Sequence, residues 1–319
     1  MMKLQEIYQL AIKMGMAADP RGLAAVEKVL IKAQKAYDKL DEEEQDFFDL
    51  EKLHNPYGDT RMLNGDPEAE IHKLFCGVDV EIGEITLIEA LNRRGAGIDL
   101  ALAHHPEGGA LANLGEVMNL QPGCLSAVGV LANVAEGMLE ERINEVERSI
   151  HSANHFRAVD GARLLDLNMM CVHTPADNLV TQFLTELFTA EQPETIGDVV
   201  RLLKEVPEYY LASSQRNNAP LIVSGNSSRS AGKIFVDFTG GTSGPKEMMQ
   251  KLTEAGISTV VAMHATEGMV KVAKENKLNL VVAGHMASDS VGLNLFLDQL
   301  AKNGVEIVAG SGLIRYQRD

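Results

Sequence analysis

From about residue 71 onward, short apolar runs alternate with stretches whose apolar residues recur at helical spacing. The apolar runs predict strands at residues 98–103, 165–172, 221–224, 233–238, 258–263, 278–283 and 305–309. The stretches between them predict helices at residues 86–93, 123–146, 178–188, 196–204, 245–255, 267–276 and 290–303. Strands that alternate with helices in this way predict an α/β fold.

The first 70 residues have a different pattern. Leu4, Ile7 and Leu10 lie at helical spacing, and Leu23 begins a second such segment after Asp19-Pro20. Turn-forming residues follow at positions 54–58 and 64–67. We therefore predict a helical extension over residues 1–70.

Composition and charge narrow the classes of function. The chain has 319 residues, of which 45% are hydrophobic and 5% aromatic, as expected for a soluble protein with more than one core. A net charge of −16 argues against general nucleic-acid binding and against binding to anionic membrane surfaces. The three cysteines lack CxxC spacing, which indicates neither a disulfide framework nor a cysteine zinc site and favours the cytoplasm. No apolar stretch approaches the roughly 18 residues of a membrane span.

Three histidine motifs each follow a predicted strand: His104-His105-Pro106, His173-Thr-Pro-Ala-Asp177 and His285-Met-Ala-Ser-Asp289. Loops beyond the carboxyl ends of strands are where α/β proteins bind ligands. Imidazole and carboxylate groups bind zinc, iron and manganese, and this set is large enough for two ions. The motifs therefore predict a metal site.

Each motif also has a structural interpretation. For His104 and His105 it is a pair of hydrogen-bonded histidines at a strand end. Because the two are adjacent, a regular strand would point them to opposite faces, and a turn must reorient one of them if both are to face one site. Asp177 and Asp289 are placed to cap the helices that follow them. His264 follows the predicted strand 258–263 and is either a site residue or a core or capping residue.

One glycine-rich loop, Phe238-Thr-Gly-Gly-Thr-Ser-Gly-Pro-Lys246, lies between a predicted strand and a predicted helix. Such a loop can direct backbone N–H groups at a phosphate. It matches neither GxxxxGK[ST] nor GxGxxG, so an ordinary turn is the alternative.

Together these motifs make residues 71–319 resemble the Nif-three-like family of dinuclear metal proteins, often labelled GTP cyclohydrolase I type two. The family carries a strand ending in His-His-Pro, a His-Thr-x-x-Asp element and a late Gly-His-x-x-x-Glu element, and a turn comparable to the glycine-rich loop. The resemblance implies that two divalent transition-metal ions, zinc, iron or manganese, are held by His104, His105, Asp177, His285 and Asp289. It places His173 at a nearby polar position.

The sequence departs from the family pattern at two places. Asp289 stands where the family has Glu, and Ala262-Met263-His264-Ala265-Thr266-Glu267 replaces a Thr-Gly-Asp segment followed by histidine. We expect two α/β lobes with the metal site at their junction: residues 71–190, and residues 191–319 with about 278–319 returning ligands to the site. The resemblance also implies a homo-oligomer, commonly a hexamer.

The metal site predicts a metal-dependent hydrolase in which His173 or Glu267 moves protons. The family resemblance implies that its substrate is a nucleotide-like or heterocyclic small molecule. The alternative is a protein that stores or delivers iron or zinc, or a regulatory interaction protein. The same ligands suffice for either class.

Overall fold

The computed structural model describes residues 1–318 and contains eleven strands and fifteen α-helices. The strands are β1 (Met2–Lys3), β2 (Arg61–Asn64), β3 (Glu70–Ile71), β4 (Lys73–Gly77), β5 (Leu100–Ala103), β6 (Asn168–Cys171), β7 (Leu221–Ser224), β8 (Ile234–Asp237), β9 (Thr259–Ala262), β10 (Asn279–Val282) and β11 (Glu306–Ala309).

The α-helices are α1 (Leu4–Ala17), α2 (Leu23–Tyr37), α3 (Glu42–Gln45), α4 (Ile82–Asn92), α5 (Gly108–Ala112), α6 (Leu114–Val117), α7 (Gln121–Ala127), α8 (Ala132–His151), α9 (Arg157–Leu164), α10 (Thr174–Glu191), α11 (Ile196–Glu205), α12 (Pro207–Gln215), α13 (Met248–Glu254), α14 (Glu267–Glu275) and α15 (His285–Lys302). Short 3₁₀ helices cover Leu50–Leu53 and Met118–Leu120.

Two mixed sheets form the framework. The first has five strands in the order β11-β4-β5-β6-β2, parallel except for β2 at one edge. The second has four strands in the order β7-β10-β9-β8, parallel except for β7. A two-stranded ribbon joins β1 to β3. The predicted α/β fold is confirmed.

Helices α10 and α15 lie between the two sheets. On one side Ala176 of α10 and Phe296 of α15 share a core with Leu102 of the first sheet. On the other side Val180 and Val291 of the same helices share a core with the second sheet. Because both helices bury two faces, they fix the sheets relative to each other and bring the carboxyl ends of strands from both sheets to one region.

The outer faces of the sheets are covered by separate groups of helices. Residues of α4 and α9 pack on the first sheet, and residues of α8, α13 and α14 pack on the second. Among the described residues, no helix has both the length and the apolar character needed to cross a bilayer. The three cysteines are buried and free, so they form no disulfide.

The N-terminal residues are integrated with the first sheet. Leu4, Ile7 and Ala11 of α1 belong to the core shared with α10 and α15, and β2 forms the sheet edge. The predicted helical segments in this region are confirmed as α1 and α2. The division into regions at residues 70 and 190 stays a prediction.

All seven predicted strands are present: β7 has the predicted bounds and the other six are shorter than their apolar runs, whereas several helices differ from prediction. The predicted helix 123–146 is interrupted after Ala127 because Gly129 adopts φ of 109°. Helix α10 begins at Thr174 instead of residue 178, since Pro175 is accommodated in its first turn. Helix α15 begins at His285 instead of residue 290, directly after Gly284 with φ of 111°.

Candidate metal site

The three histidine motifs meet at one place between the sheets. His104 and His105 follow β5, His173 follows β6, and His285 follows β10. Six side chains form three overlapping groups of possible metal ligands, and in each group the ligand atoms all lie within 4.8 Å of one another. The groups are His104 with His105 and His173, His105 with His285 and Asp289, and His104 with Asp177 and Asp289. All five predicted ligands and His173 are therefore brought together.

Neither aspartate acts as a helix cap. Asp177 lies in the first turn of α10 and Asp289 lies one turn inside α15, because both helices begin earlier than predicted. The N-cap positions belong to His173 and Gly284. His173 makes no side-chain capping bond, and Gly284 has no side chain to make one. The capping interpretation is wrong, and both carboxylates point into the cluster, beside His104.

A backbone carbonyl holds the ring of His104 so that its other nitrogen, Nε2, faces two carboxylates. Its Nδ1 lies 3.0 Å from the carbonyl oxygen of Val172, which only accepts, so Nδ1 carries the proton. Its Nε2 lies 3.5 Å from an oxygen of Asp177 and 3.5 Å from an oxygen of Asp289. Nε2 is buried without a hydrogen-bond partner. A cation placed among these three atoms would satisfy them.

His105 and His173 are oriented in the same way by carboxylates outside the cluster. Nδ1 of His105 lies 2.6 Å from Asp79, and Nδ1 of His173 lies 2.8 Å from Asp59. Asp59 is buried and also accepts a bond from the hydroxyl of Thr174 at 2.6 Å. Carboxylate-to-histidine contacts of this kind fix the tautomer so that Nε2 is free to bind a metal.

The two oxygens of Asp289 face different histidines. Oδ1 lies 3.5 Å from His104 Nε2, whereas Oδ2 lies 3.7 Å from His105 Nε2 and 3.6 Å from His285 Nε2. Both oxygens are buried without hydrogen-bond partners. Although shorter than the Glu of the family pattern, Asp289 thus reaches both sides of the cluster.

Comparison with known structures supports the resemblance. The chain is similar to the crystal structure of a NIF3 superfamily protein from Sphaerobacter thermophilus, with 26% sequence identity and a TM-score of 0.70 over 80% of this chain and 92% of that chain. The resemblance to the Nif-three-like family that the sequence motifs predict is therefore confirmed. Reduced HcgD from Methanocaldococcus jannaschii shares the fold, with 18% identity and a TM-score of 0.50 over 78% of this chain and 87% of that one. No family model matches the sequence, and no curated protein matches it significantly.

The electrostatics of the cluster differ between its two aspartates. Burial, together with the charges of Asp289 and Asp59, raises the pKa of Asp177 well above its ordinary value. Burial also acts to raise the pKa of Asp289, but the neighbouring rings of His104, His285 and His105 outweigh it and lower that pKa. Burial lowers the pKa of His285 to about 4, so its imidazole is neutral near pH 7.

A cavity adjoins the histidine cluster on the side of the second sheet. His173, Asp177 and His285 line it together with His264 and the glycine-rich loop. The ring of His264 lies 5.0 Å from that of His285, and its Nδ1 lies 3.2 Å from the hydroxyl of Ser243. The site interpretation of His264 is therefore favoured over a core position, and burial lowers its pKa.

Glu267 is the one predicted site residue that stands apart. It is exposed at the start of α14 and is absent from the residues that line the cavity within the described part of the chain. Thr266 caps this helix through its side chain.

Sequence reasoning missed the two carboxylates that orient histidines, Asp59 and Asp79. Asp59 follows a turn-forming segment in the N-terminal region, and Asp79 follows β4, which was not predicted. Neither has a local signal, because each acts on a histidine that is distant along the chain: the separations are 114 residues for Asp59 and His173 and 26 residues for Asp79 and His105.

Proposed function

We propose that the protein holds two divalent transition-metal ions and uses them to hydrolyse a nucleotide-like or heterocyclic small molecule. The observation that carries the proposal is the convergence, at a buried point, of histidine nitrogens and aspartate oxygens that include atoms without hydrogen-bond partners. The Nδ1 atoms of His104, His105 and His173 are each held by an acceptor outside the cluster. A cluster that served only packing would leave these buried atoms unsatisfied, at considerable energetic cost.

The overlapping groups suggest how two ions are shared. His105 and His285 with Asp289 would hold one ion, and His104 and Asp177 with Asp289 would hold the other. Asp289 is common to both groups and presents one oxygen to each side, which suits a bridging ligand. Imidazole and carboxylate suit zinc, iron or manganese. When bound, such a pair of ions supplies a hydroxide from water near neutral pH.

His173 is the best placed group for proton transfer. Its Nδ1 is fixed by Asp59, its Nε2 lies 3.9 Å from Asp177, and it lines the cavity in which a substrate would sit. A histidine with one nitrogen fixed and the other directed at the reacting atoms is suited to general acid–base catalysis. A role of Glu267 in proton transfer stays a prediction from the sequence, because the residue is exposed and does not line the cavity within the described part of the chain.

One observation suits the alternative of metal storage or delivery as well as it suits a hydrolase. The side chain of His285 is 38% exposed, so one edge of the cluster is open to solvent. An open edge serves substrate entry in a hydrolase and ion exchange in a carrier. Transfer of ions to an acceptor protein without turnover on any substrate would favour the carrier.

The experiment begins with metal analysis of the purified protein, which we expect to contain about two transition-metal ions per chain. The variant that combines Asp177→Ala with His285→Ala should lose them while keeping its circular-dichroism spectrum. The metal-loaded protein is then screened for hydrolysis of nucleotides, phosphoesters and heterocyclic amides, with the double variant as control. Absence of metal in both proteins would refute the proposal.

Assembly into a homo-oligomer, a hexamer by family resemblance, is part of the same proposal. Light scattering coupled to size exclusion measures the mass of the assembly directly. A mass of one chain at micromolar concentration would contradict it.

A further inference from the structure

The glycine-rich loop after β8 has its carbonyl groups tied to helices behind it. The side-chain amide of Gln121, at the start of α7, donates to the carbonyl oxygens of Gly240 at 2.7 Å and Thr242 at 2.6 Å. Nε of Arg142, on α8, donates to the carbonyl oxygen of Ser243 at 3.1 Å. Three carbonyls of one short loop thus point towards α7 and α8.

This arrangement determines where the next amide groups point. The chain has no cis peptide bond, and in a trans peptide the N–H lies opposite the preceding carbonyl. The N–H groups of Gly241, Ser243 and Gly244 therefore point away from α7 and α8. Within residues 1–318, none of these three donates a hydrogen bond to protein.

Close packing against α7 explains the glycines. A Cβ on Gly240 would lie 2.5 Å from Cγ of Gln121, and one on Gly244 would lie 2.9 Å from Oε1 of the same residue. Gly240 and Gly241 also adopt φ of 108° and 84°, which other residues rarely do. Glycine allows the loop to lie flat on the helix, with its carbonyls inward and its amides outward.

The side of the loop opposite α7 borders the cavity next to the histidine cluster. Residues Gly241 to Gly244 line that cavity together with His173 and His285. We propose that residues 239–244 bind the phosphate group of a small-molecule ligand whose other end reaches the metal cluster. The second half of this statement rests on the function proposed above, whereas the phosphate site itself needs no metal.

The chemistry of the loop suits a tetrahedral oxyanion. Several unpaired N–H groups on consecutive residues form a concave donor set of the kind that binds phosphate. The guanidinium of Arg142, which also pairs with Glu145 at 2.7 Å, donates to the Ser243 carbonyl and polarises the peptide between Ser243 and Gly244. The hydroxyl of Ser243 is already paired with Nδ1 of His264 at 3.2 Å, so the proposed donors are the backbone amides of the loop.

One carboxyl group opposes an anion here. Among the described residues that line the cavity, Asp237 is the carboxyl group outside the cluster, and burial raises its pKa to about 6. Its repulsion of an anion weakens as pH falls through that value.

The test is a titration of ¹⁵N-labelled, metal-stripped protein with inorganic phosphate, followed by amide chemical shifts. Stripping the metal prevents phosphate from binding through the ions. We expect saturable shifts at Gly241, Ser243 and Gly244. Ser243→Pro, which removes one N–H, should weaken binding roughly 10-fold, the loss typical of one hydrogen bond to a charged group. Ser243→Ala, which keeps the N–H, is the matched control and should bind nearly as well as the parent.

A second variant covers the case in which Ser243→Pro fails to fold. Gln121→Met removes the donor that holds two of the carbonyls, so the loop amides lose their alignment and phosphate binding should weaken. Unchanged loop shifts throughout the titration, or equal affinity in parent and Gln121→Met, would overturn the phosphate site. Phosphate binding at the loop in a protein that never binds metal would instead overturn the dinuclear centre and leave this site standing.

Discussion

Gly292 of α15 lies against the backbone of Ala176 of α10, so closely that an added Cβ would come within 2.2 Å of the Ala176 carbonyl oxygen. Ala176 immediately precedes Asp177, and Gly292 follows Asp289 by less than one turn of helix. The contact between the two helices thereby sets the distance between the two buried carboxylates. A change in the packing of α10 against α15 is therefore expected to change the geometry of the candidate metal site.

Gly292→Ala should therefore damage both stability and the site. The helices must separate to admit the methyl group, and such overpacking typically costs roughly 1–3 kcal/mol. We expect a lower free energy of unfolding in urea and a lower metal content at equal metal concentration. Gly137→Ala on α8 is the control, because Gly137 is exposed with no atom near its added Cβ. That change should stabilise the protein by roughly 0.5–1 kcal/mol. Equal effects of the two changes would contradict the close-packing argument.

Asp289→Asn tests whether one carboxylate serves both ions. The amide keeps the size of the side chain but removes the charge and one acceptor oxygen, and Asp289 belongs to two of the three ligand groups. We expect metal content to fall from about two ions per chain to less than about one. His72→Ala, at an exposed histidine outside the cluster, should leave metal content unchanged. Two ions retained in Asp289→Asn would show that the aspartate does not bridge.

The parts of the fold that were predictable are those with a local signal. Each predicted strand is an apolar run ending at a polar or glycine residue, and β5 ends at Ala103, so His104 and His105 are free of the alternation that a strand would impose. The required turn thus starts before Pro106. Strand β4 was missed although it lies in the interior of its sheet, between β11 and β5, because Leu74 to Gly77 give a run of few apolar residues before a polar segment.

The meeting of the first two motifs was predictable because β5 and β6 are neighbouring parallel strands, whose carboxyl ends share an edge. The third motif follows β10 of the second sheet, and it reaches the others through the packing of α10 and α15 between the sheets. The first residues of α10 and α15 could not be predicted in the same way, because the sequences around Pro175 and Gly284 are compatible with either a turn or the first turn of a helix. That difference decided whether Asp177 and Asp289 were caps or cluster members. The orienting role of Asp59 depends on where the N-terminal segment packs, which only the folded chain determines.

Asp59→Ala should cost more than Asp79→Ala, although both aspartates orient a histidine. Asp59 is buried and accepts bonds from His173 and Thr174, so its removal leaves two buried donors unsatisfied. We expect a loss of roughly 1–3 kcal/mol in the free energy of unfolding. The Asp79 side chain is 54% exposed, and water can replace it, so we expect a loss below roughly 0.5 kcal/mol.

Ring ¹⁵N shifts give an independent measure of the same contacts. His173 should carry its proton on Nδ1 in the metal-free parent and should lose that preference in Asp59→Ala. If His173 keeps one tautomer in the variant, Asp59 is not what orients it.

The stabilisation that metal gives should increase with pH. In the metal-free protein the raised pKa of Asp177 means that the folded state keeps a proton that the unfolded chain releases near its ordinary value of 3.8. This contribution to stability is complete below that value and is lost as pH rises through the higher pKa of the folded protein. A metal ion must displace the same proton, so its affinity falls on acidification. His285, with a pKa of about 4, is neutral over most of this range and adds little.

Thermal melting of stripped and loaded protein between about pH 5 and pH 7.5 measures the difference in Tm. We expect that difference to widen with pH in the parent and to widen less in Asp177→Asn, which has no proton to displace. A constant difference in the parent would mean that Asp177 is already ionised without metal, and the electrostatic description of the cluster would then be wrong.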